Sequence, residues 1–469
     1  MVKQEEPVSL HIRPVKLQYL PPSYHSSIQR LSDVELSVIN EQKTSDIVSK
    51  TQEGDGDDEI QTKTEEILPN SSTRNSKPPH VYLQLAVVFY TVFLLGFQDG
   101  TLGPLIPVIQ RVYHVDFKIV SLNYVFGCIG LVAGALINIQ IGQRVGFGKM
   151  ILAGAILQMI GYCILAPAPP FPVLLLGQTI VGLGEALQNI QSNTFVAAFG
   201  SSTKLGLFHG IYGIGALIAP LIATQFAQMP RWSFHWLVGV ALAAINVVLL
   251  ASVFRLRDRN ELIEEPTLVT NGEQNKKVKW KEVLSLRSVN TLAFFIFVYC
   301  GVEFTLGAWV VTFIIDQRHG SANSGYISSG FFAGLMVGRF SLIWVNNKIG
   351  TRKVMFLYAF LALGLEFTIW FIPNLIGNAA SISLIGLFMG PMFPLIMGHA
   401  QKIIPTRLLS GSISWICGLG TVGVSSLPFV EGAIANKFGI GSLQPFLVVM
   451  MCILIGLWAT VPNVKRRSE

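Results

Sequence analysis

Four carboxylates and one guanidinium stand deep inside long apolar runs, away from the basic loops: Asp99, Glu185, Glu303, Glu366 and Arg339. An ionised group at the centre of a membrane helix costs about 2.5–3.5 kcal/mol on insertion scales, so each needs a partner or a wet cavity. A carboxylate at mid-membrane can also take a proton from one side and release it to the other, and Glu185, Asp99 and Glu303 are the candidates for such proton coupling. Glu185, Asn189 and Asn193 fall at i, i+4 and i+8, which puts them on one helix stripe, and Gln188, Gln191 and Ser192 broaden it. Amides donate and accept hydrogen bonds, as a hydroxylated or amide-bearing solute requires. The alternative reading of the stripe is interhelical glue.

Asp99 sits in FQDGTLGP, where Gly100, Gly103, Pro104 and Pro107 weaken the helix and expose carbonyls. Such backbone is tolerated where it lines a cavity or is covered by neighbours. A satisfied structural carboxylate near the helix end is the alternative for Asp99. Glu303 has Tyr299 one turn before it and Trp309 nearly two turns after it. Aromatic faces stack on sugar rings while carboxylates take hydroxyls, so Tyr299 and Trp309 join Asn189 and Asn193 as candidate substrate-binding residues. Trp309 fits an ordinary membrane-interface tryptophan equally well. Arg339 reads either as half of a buried pair or as a substrate clamp or gate. Glu366 is expected to reach interfacial water, and His209 and His399, each alone at a helix end, to be structural. Gly210, Gly213 and Gly215 offer a small-residue surface for helices that must slide.

The elements that must position these groups are legible from composition. The 469 residues are 51% hydrophobic and 13% charged, against about 25% charged in a soluble domain. That excludes a cytosolic enzyme, a disulfide scaffold and a nucleic-acid-binding domain. Residues 1–80 carry a net charge of −4 and residues 81–469 a net charge of +11. The first 80 are polar, lack periodicity and include GDGDDE at 54–59, so they are expected to form a disordered tail, without a signal peptide. From Val81 onward, apolar runs long enough to cross a ~30 Å core recur at 81–108, 119–141, 149–166, 171–199, 205–227, 234–254, 290–315, 323–346, 352–372, 378–401, 409–430 and 441–462. The expected fold is therefore an all-α membrane protein with twelve transmembrane helices.

With the amino terminus inside, 19 basic residues after residue 80 fall on inner segments and 5 on outer loops, which puts both termini in the cytoplasm. The charged connection 255–289 divides the spans into two six-helix halves, 81–254 and 290–462, leaving 463–469 as a cytoplasmic end. The loops GQRVGFGK (142–149) and NNKIGTRK (346–353) align Gly146 with Gly350 at an offset of 204, with Arg144 and Lys348 two residues earlier and Lys149 and Lys353 three later. Parallel repeats of this kind are one arrangement found in secondary transporters.

These loops resemble the signature of the major facilitator superfamily, whose acidic position is Gln143 in one copy and Asn347 in the other. The resemblance implies a gating role for Arg144, Gly146, Lys348 and Gly350, with Arg339 as a possible further gate, and a hydrogen-bonded version of the charge-relay gate. Further stretches, GFQDGTLGPLIP (96–107), VGLGEALQNIQSNTFV (181–196), LFHGIYGIGALIAP (207–220), YCGVEFTLGAWVVTFI (299–314) and GPMFPLIMGHAQKIIP (390–405), resemble the fucose-permease-like branch and its fungal relatives. In the bacterial sugar permeases of that branch, an Asp in helix 1 and a Glu in helix 4 serve proton coupling and sugar binding. Asp99 and Glu185 lie in the corresponding helices, although Glu185 stands two turns before Asn193 rather than one.

The expected function is proton-coupled uptake of a sugar or related polyol by alternating access. The alternatives are a proton-antiport exporter of an organic metabolite or drug, and a nutrient receptor signalling through its tail. The expected partners are a small solute, protons and the lipid bilayer, in a monomer of the plasma membrane or else a vacuolar or other internal membrane. No cofactor, metal or nucleic acid is expected. The five Cys residues lack metal-ligand spacing, and HExxH, a phosphate loop and Gly-x-Ser-x-Gly are missing from the sequence, which argues against an enzyme.

Overall fold

The computed structural model describes residues 79–199, 202–254 and 280–462. The expected tail over 1–80 and the loop over 255–289 fall largely outside the described residues, and the 463–469 end wholly so. Long apolar runs fold as helix because, without water, each backbone N–H and C=O must find its partner within the segment. All regular elements among the described residues are helical. The spans are α1 (Pro79–Tyr113), α2 (Leu122–Val145), α3 (Phe147–Leu165), α4 (Phe171–Ala197), α5 (Ser202–Ala227), α6 (His235–Phe254), α7 (Arg287–Arg318), α8 (Gly325–Ser341), α9 (Thr351–Phe371), α10 (Leu375–Met389), α11 (Thr406–Phe438) and α12 (Leu443–Thr460). Among the described residues eleven spans are long and apolar enough to cross a bilayer, and α8 with the following helix Ile343–Ile349 makes a twelfth, bent by 53°.

Interruptions follow local chemistry. α10 stops before Gly390-Pro391 and resumes as Met392–Ile403, since a proline inside a helix removes a donor and crowds the preceding turn. The bend in the eighth span lies at Leu342 (φ −89°, ψ 3°), which steps out of helical geometry. In α1 the expected weak point does not break: the helix runs through Pro104 and Pro107 to Tyr113. The carbonyls of Gly100 and Gly103 nevertheless lose the donors that those prolines lack. Gly146 (φ 87°, ψ 160°) separates α2 from α3, and Gly350 (φ 85°, ψ 148°) precedes α9 in nearly the same conformation. Glycine, lacking a Cβ, adopts a positive φ at little cost, which is why the repeat keeps Gly at both turns.

Helix neighbours repeat with a shift of six. α1 packs on α5, α4 and α6, while α4 also packs on α2 and α3, and α3 on α6; the matching pairs α7–α11, α7–α12, α8–α10, α9–α10 and α9–α12 recur in the second half. Contacts between the halves run through α5–α8, α2–α11 and α1–α7. The face carrying Pro79 and Pro462 is called here the terminal face, and the opposite one the distal face.

The first half also contains a buried polar ladder across four helices. Thr91 (α1) donates to Asn246 (α6) at 2.9 Å, Asn246 to Gln188 (α4) at 2.9 Å, Gln188 to Gln158 (α3) at 2.8 Å, and Gln158 to the Tyr162 hydroxyl at 3.0 Å. Polar side chains fully satisfied in this way fix one arrangement of helices that lipid alone would not order.

Candidate functional site

α1 and α7 meet at Gly103 and Gly307, where a Cβ on Gly103 would run into the Gly307 carbonyl. One helical turn before these glycines stand Asp99 and Glu303. Both pairs are 204 residues apart, the offset that relates Gly146 to Gly350, so the two carboxylates occupy equivalent places in the two halves. Asp99 is half-buried and within electrostatic range of Glu303. Glu185, on α4, is within range of Asp99, and both Glu185 and Glu303 are 9% exposed. Asp99, predicted with the other two from scattered segments, thus lies within electrostatic range of both Glu185 and Glu303.

A residue that the sequence reading passed over joins them. Tyr212, on α5, donates its hydroxyl hydrogen to Asp99 and lies within electrostatic range of Glu303 and Glu185 as well. Gly96 makes this possible, because it lets the Tyr212 backbone lie directly against α1. The available signal was an isolated tyrosine inside the Gly-rich run of α5. Tyr162, at the end of the polar ladder, stands near Glu185, and Tyr124 near Asp99.

Of the expected substrate-binding residues, Asn189 is exposed and Asn193 half-buried, with the Asn193 amide donating to the Asn189 side chain at 2.6 Å. They extend from Glu185 toward the terminal face. The wider stripe divides: Gln188 is wholly buried in the ladder, Ser192 is buried, and Gln191 donates to Asn138 on α2 at 2.6 Å. Helical spacing of one residue turns a side chain by about 100°, enough to aim Gln188 at α3 and α6 rather than at the centre.

Tyr299 and Trp309 are 1% and 0% exposed, so neither offers an open ring face in this conformation. Tyr299 donates to the Met389 carbonyl at 3.1 Å beside Glu303. Trp309 donates to the Pro428 carbonyl at 2.9 Å and packs edge-on against Phe117. Glu366 corrects an expectation. It is 0% exposed instead of reaching interfacial water, and neither carboxylate oxygen has a hydrogen-bond partner. The helix that carries it, α9, packs on α10 and α12.

Arg339 is half-buried on α8, with no carboxylate within 4 Å among the described residues and no partner for Nε. It lies within electrostatic range of Glu303 and Tyr299 on α7 and of His209 on α5. At the terminal face Arg144 and Lys348 are exposed, Lys348 standing 4.8 Å from the Trp344 ring. Arg352 donates to the Val461 carbonyl at 2.7 Å, and Tyr358 to Asn346 at 2.7 Å. At the distal face the halves are tied by Gln225 to Tyr326, by Gln228 to Asn323 at 3.1 Å, and by Ser121 against Gly432.

A family model described as Major Facilitator Superfamily matches residues 88–428. The chain belongs to that superfamily. It is a multi-pass membrane transporter, and its two halves are the paired six-helix bundles of the major facilitator fold. Similar proteins include Bypass of stop codon protein 6 of Saccharomyces cerevisiae, 24% identical over 422 residues (83% of this chain, 84% of that one). A glucose/galactose transporter of Brucella abortus is 26% identical over 406 residues (81% and 94%). The solved structure of the E. coli fucose:proton symporter is 17% identical and covers 82% of this chain and 99% of its own, with a TM-score of 0.56. In major facilitator terms, Asp99 and Glu303 flank the contact between the first helices of the two bundles. Glu185 has no such twin, since the same offset leads to Met389.

Proposed function

We propose that the protein takes up a sugar or related polyol together with a proton by alternating access. The observation that carries this reading is Asp99, hydrogen-bonded by Tyr212 and within electrostatic range of Glu185 in its own bundle and Glu303 in the other. Carboxylates that share one weakly hydrated region cannot all ionise at once, so they hold and exchange protons. Asn189 and Asn193 supply paired donors and acceptors for hydroxyls on the path from the terminal face. The similarity to the Brucella glucose/galactose transporter and to the fucose:proton symporter supports the same class of solute and coupling ion.

The bundles 81–254 and 290–462 are the rocking bodies, Gly146 and Gly350 mark the terminal-face gates with Arg144 and Lys348, and both termini are cytoplasmic. The protein acts as a monomer in the plasma membrane. Uptake in proteoliposomes under an imposed proton gradient tests the proposal. Wild type is expected to accumulate a hexose or hexitol more strongly as the outside is acidified, and Glu185→Gln to lose that pH response. Equal uptake by Glu185→Gln at every pH removes Glu185 from coupling. No accumulation of any sugar or polyol sinks the solute class.

A further inference from the structure

The central region has several anions and one cation. Arg339 lies on the helix face that also carries Phe332, two turns earlier, and Phe332 contacts Gly307 of α7. Met336 and Phe340, together on one side of that face, pack on Gly213 and Gly210 of α5. Arg339 is within electrostatic range of Glu303 on α7 and of His209 on α5, with no carboxylate within 4 Å among the described residues. Its Nε is shut off from solvent and has no hydrogen-bond partner. A guanidinium presents donors in a planar fork that matches a carboxylate, and leaving one unbonded in a buried place is unfavourable. A half-buried guanidinium with an unbonded Nε and no ion-pair partner among the described residues is a binding feature that neutral sugars do not require.

We infer that the solute is a hydroxylated monocarboxylate, such as an aldonate, whose carboxylate binds Arg339 and whose hydroxyls meet Asn189 and Asn193. This rests on the proposed transport reading and narrows its substrate class. The same arrangement explains coupling. With the site empty, the Glu303 carboxylate supplies the counter-charge to Arg339. A solute carboxylate that takes over the guanidinium leaves two anions beside one cation in a poorly hydrated place, and Glu303 then takes up a proton. One proton and one monoanion thus enter together, and no net charge is added. Other titratable groups facing this pair are Tyr299 and Cys300 on α7, His209 and Tyr212 on α5, and Asp99 on α1. α10, which packs on the opposite side of α8, contains no titratable residue between Leu375 and Met389. A dianion is disfavoured, because its second charge would face Asp99 and Glu303 with no second cation.

The test uses purified full-length protein with D-gluconate, D-glucose and sorbitol as probes. Gluconate is expected to bind and to be taken up in preference to both neutral probes, and its binding to draw about one proton from a weakly buffered solution containing a pH indicator. Arg339→Gln is expected to lower the gluconate-to-glucose preference about tenfold or more, with Arg339→Lys restoring part of it. Glu303→Gln is expected to bind gluconate without proton uptake. Transport of glucose or sorbitol with gluconate excluded overturns the inference and leaves the sugar reading standing. Gluconate binding with no proton drawn from solution overturns the linkage. Failure of all three probes to move overturns the transport reading itself. Should Arg339→Gln fail to fold, the wild-type preference and the Glu303→Gln proton count still decide the matter.

Discussion

At the scale of single residues, the site depends on hydroxyls and carboxylates whose partners come from other helices. Tyr212 is the clearest case, because its O–H is the hydrogen bond that holds Asp99 toward the centre. Tyr212→Phe keeps the ring and removes the donor. The expected result is a folded protein with solute uptake slowed about tenfold, read from initial rates in proteoliposomes, since a hydrogen bond to a charged group is worth about 1.5–3 kcal/mol. An unchanged rate would mean that Asp99 is positioned by something else. Glu366 gives the opposite expectation. With both oxygens buried and unpartnered, its carboxyl is a burden to the fold in this state, and Glu366→Leu should raise the melting temperature. A lower melting temperature would show that the carboxyl has a partner in the working protein.

At the scale of elements, the two halves share a plan but not a chemistry. In the first half the ladder from Thr91 through Asn246, Gln188 and Gln158 to Tyr162 joins α1, α6, α4 and α3. At the same offset of 204, Gln158 corresponds to Ala362 and Gln188 to Met392, and these two line a small apolar cavity with Val302, Met389 and Met451. At these positions the first bundle uses directional bonds and the second softer packing. Gln188→Leu removes a donor to Gln158 and an acceptor for Asn246. It should destabilise the protein by about 1–3 kcal/mol for each group left unpaired, measured by thermal unfolding in detergent. Met392→Leu, a swap of similar volume in the second half, should cost less than about 1.5 kcal/mol. If the two substitutions behave alike, the asymmetry has no energetic meaning.

At the scale of the whole molecule, the halves touch along α5–α8, α2–α11 and α1–α7. At the distal face these contacts include the Gln228–Asn323 hydrogen bond and the fit of Ser121 against Gly432. Alternating access requires these contacts to open in every cycle. A disulfide between Gln228→Cys and Asn323→Cys should therefore stop uptake when oxidised and release it on reduction. Continued uptake by the cross-linked protein would exclude distal-face opening at α5–α8 as part of the cycle. Gly103→Val should also block transport, because its side chain would meet the Gly307 carbonyl where the bundles cross.

Much of this was legible in the chain. Hydropathy gave the spans to within a few residues, as at 171–199 against the observed Phe171–Ala197, because membrane crossing depends on run length and on backbone bonds made within each segment. The Gly146 and Gly350 turns were readable because positive φ restricts residue type locally. Helical spacing grouped Glu185 with Asn189 and Asn193, and left open whether Gln188 faced a cavity or bonded across helices as it does. A period of 3.6 residues orders side chains around a helix without saying which neighbour each will meet. The burial of Glu366, the use of Trp309 in packing and the arrival of Tyr212 at Asp99 were all decided by how helices distant in the chain approach one another. Those approaches depend on small residues at crossings such as Gly96 and Gly103, where the closeness of two backbones selects which polar groups become neighbours.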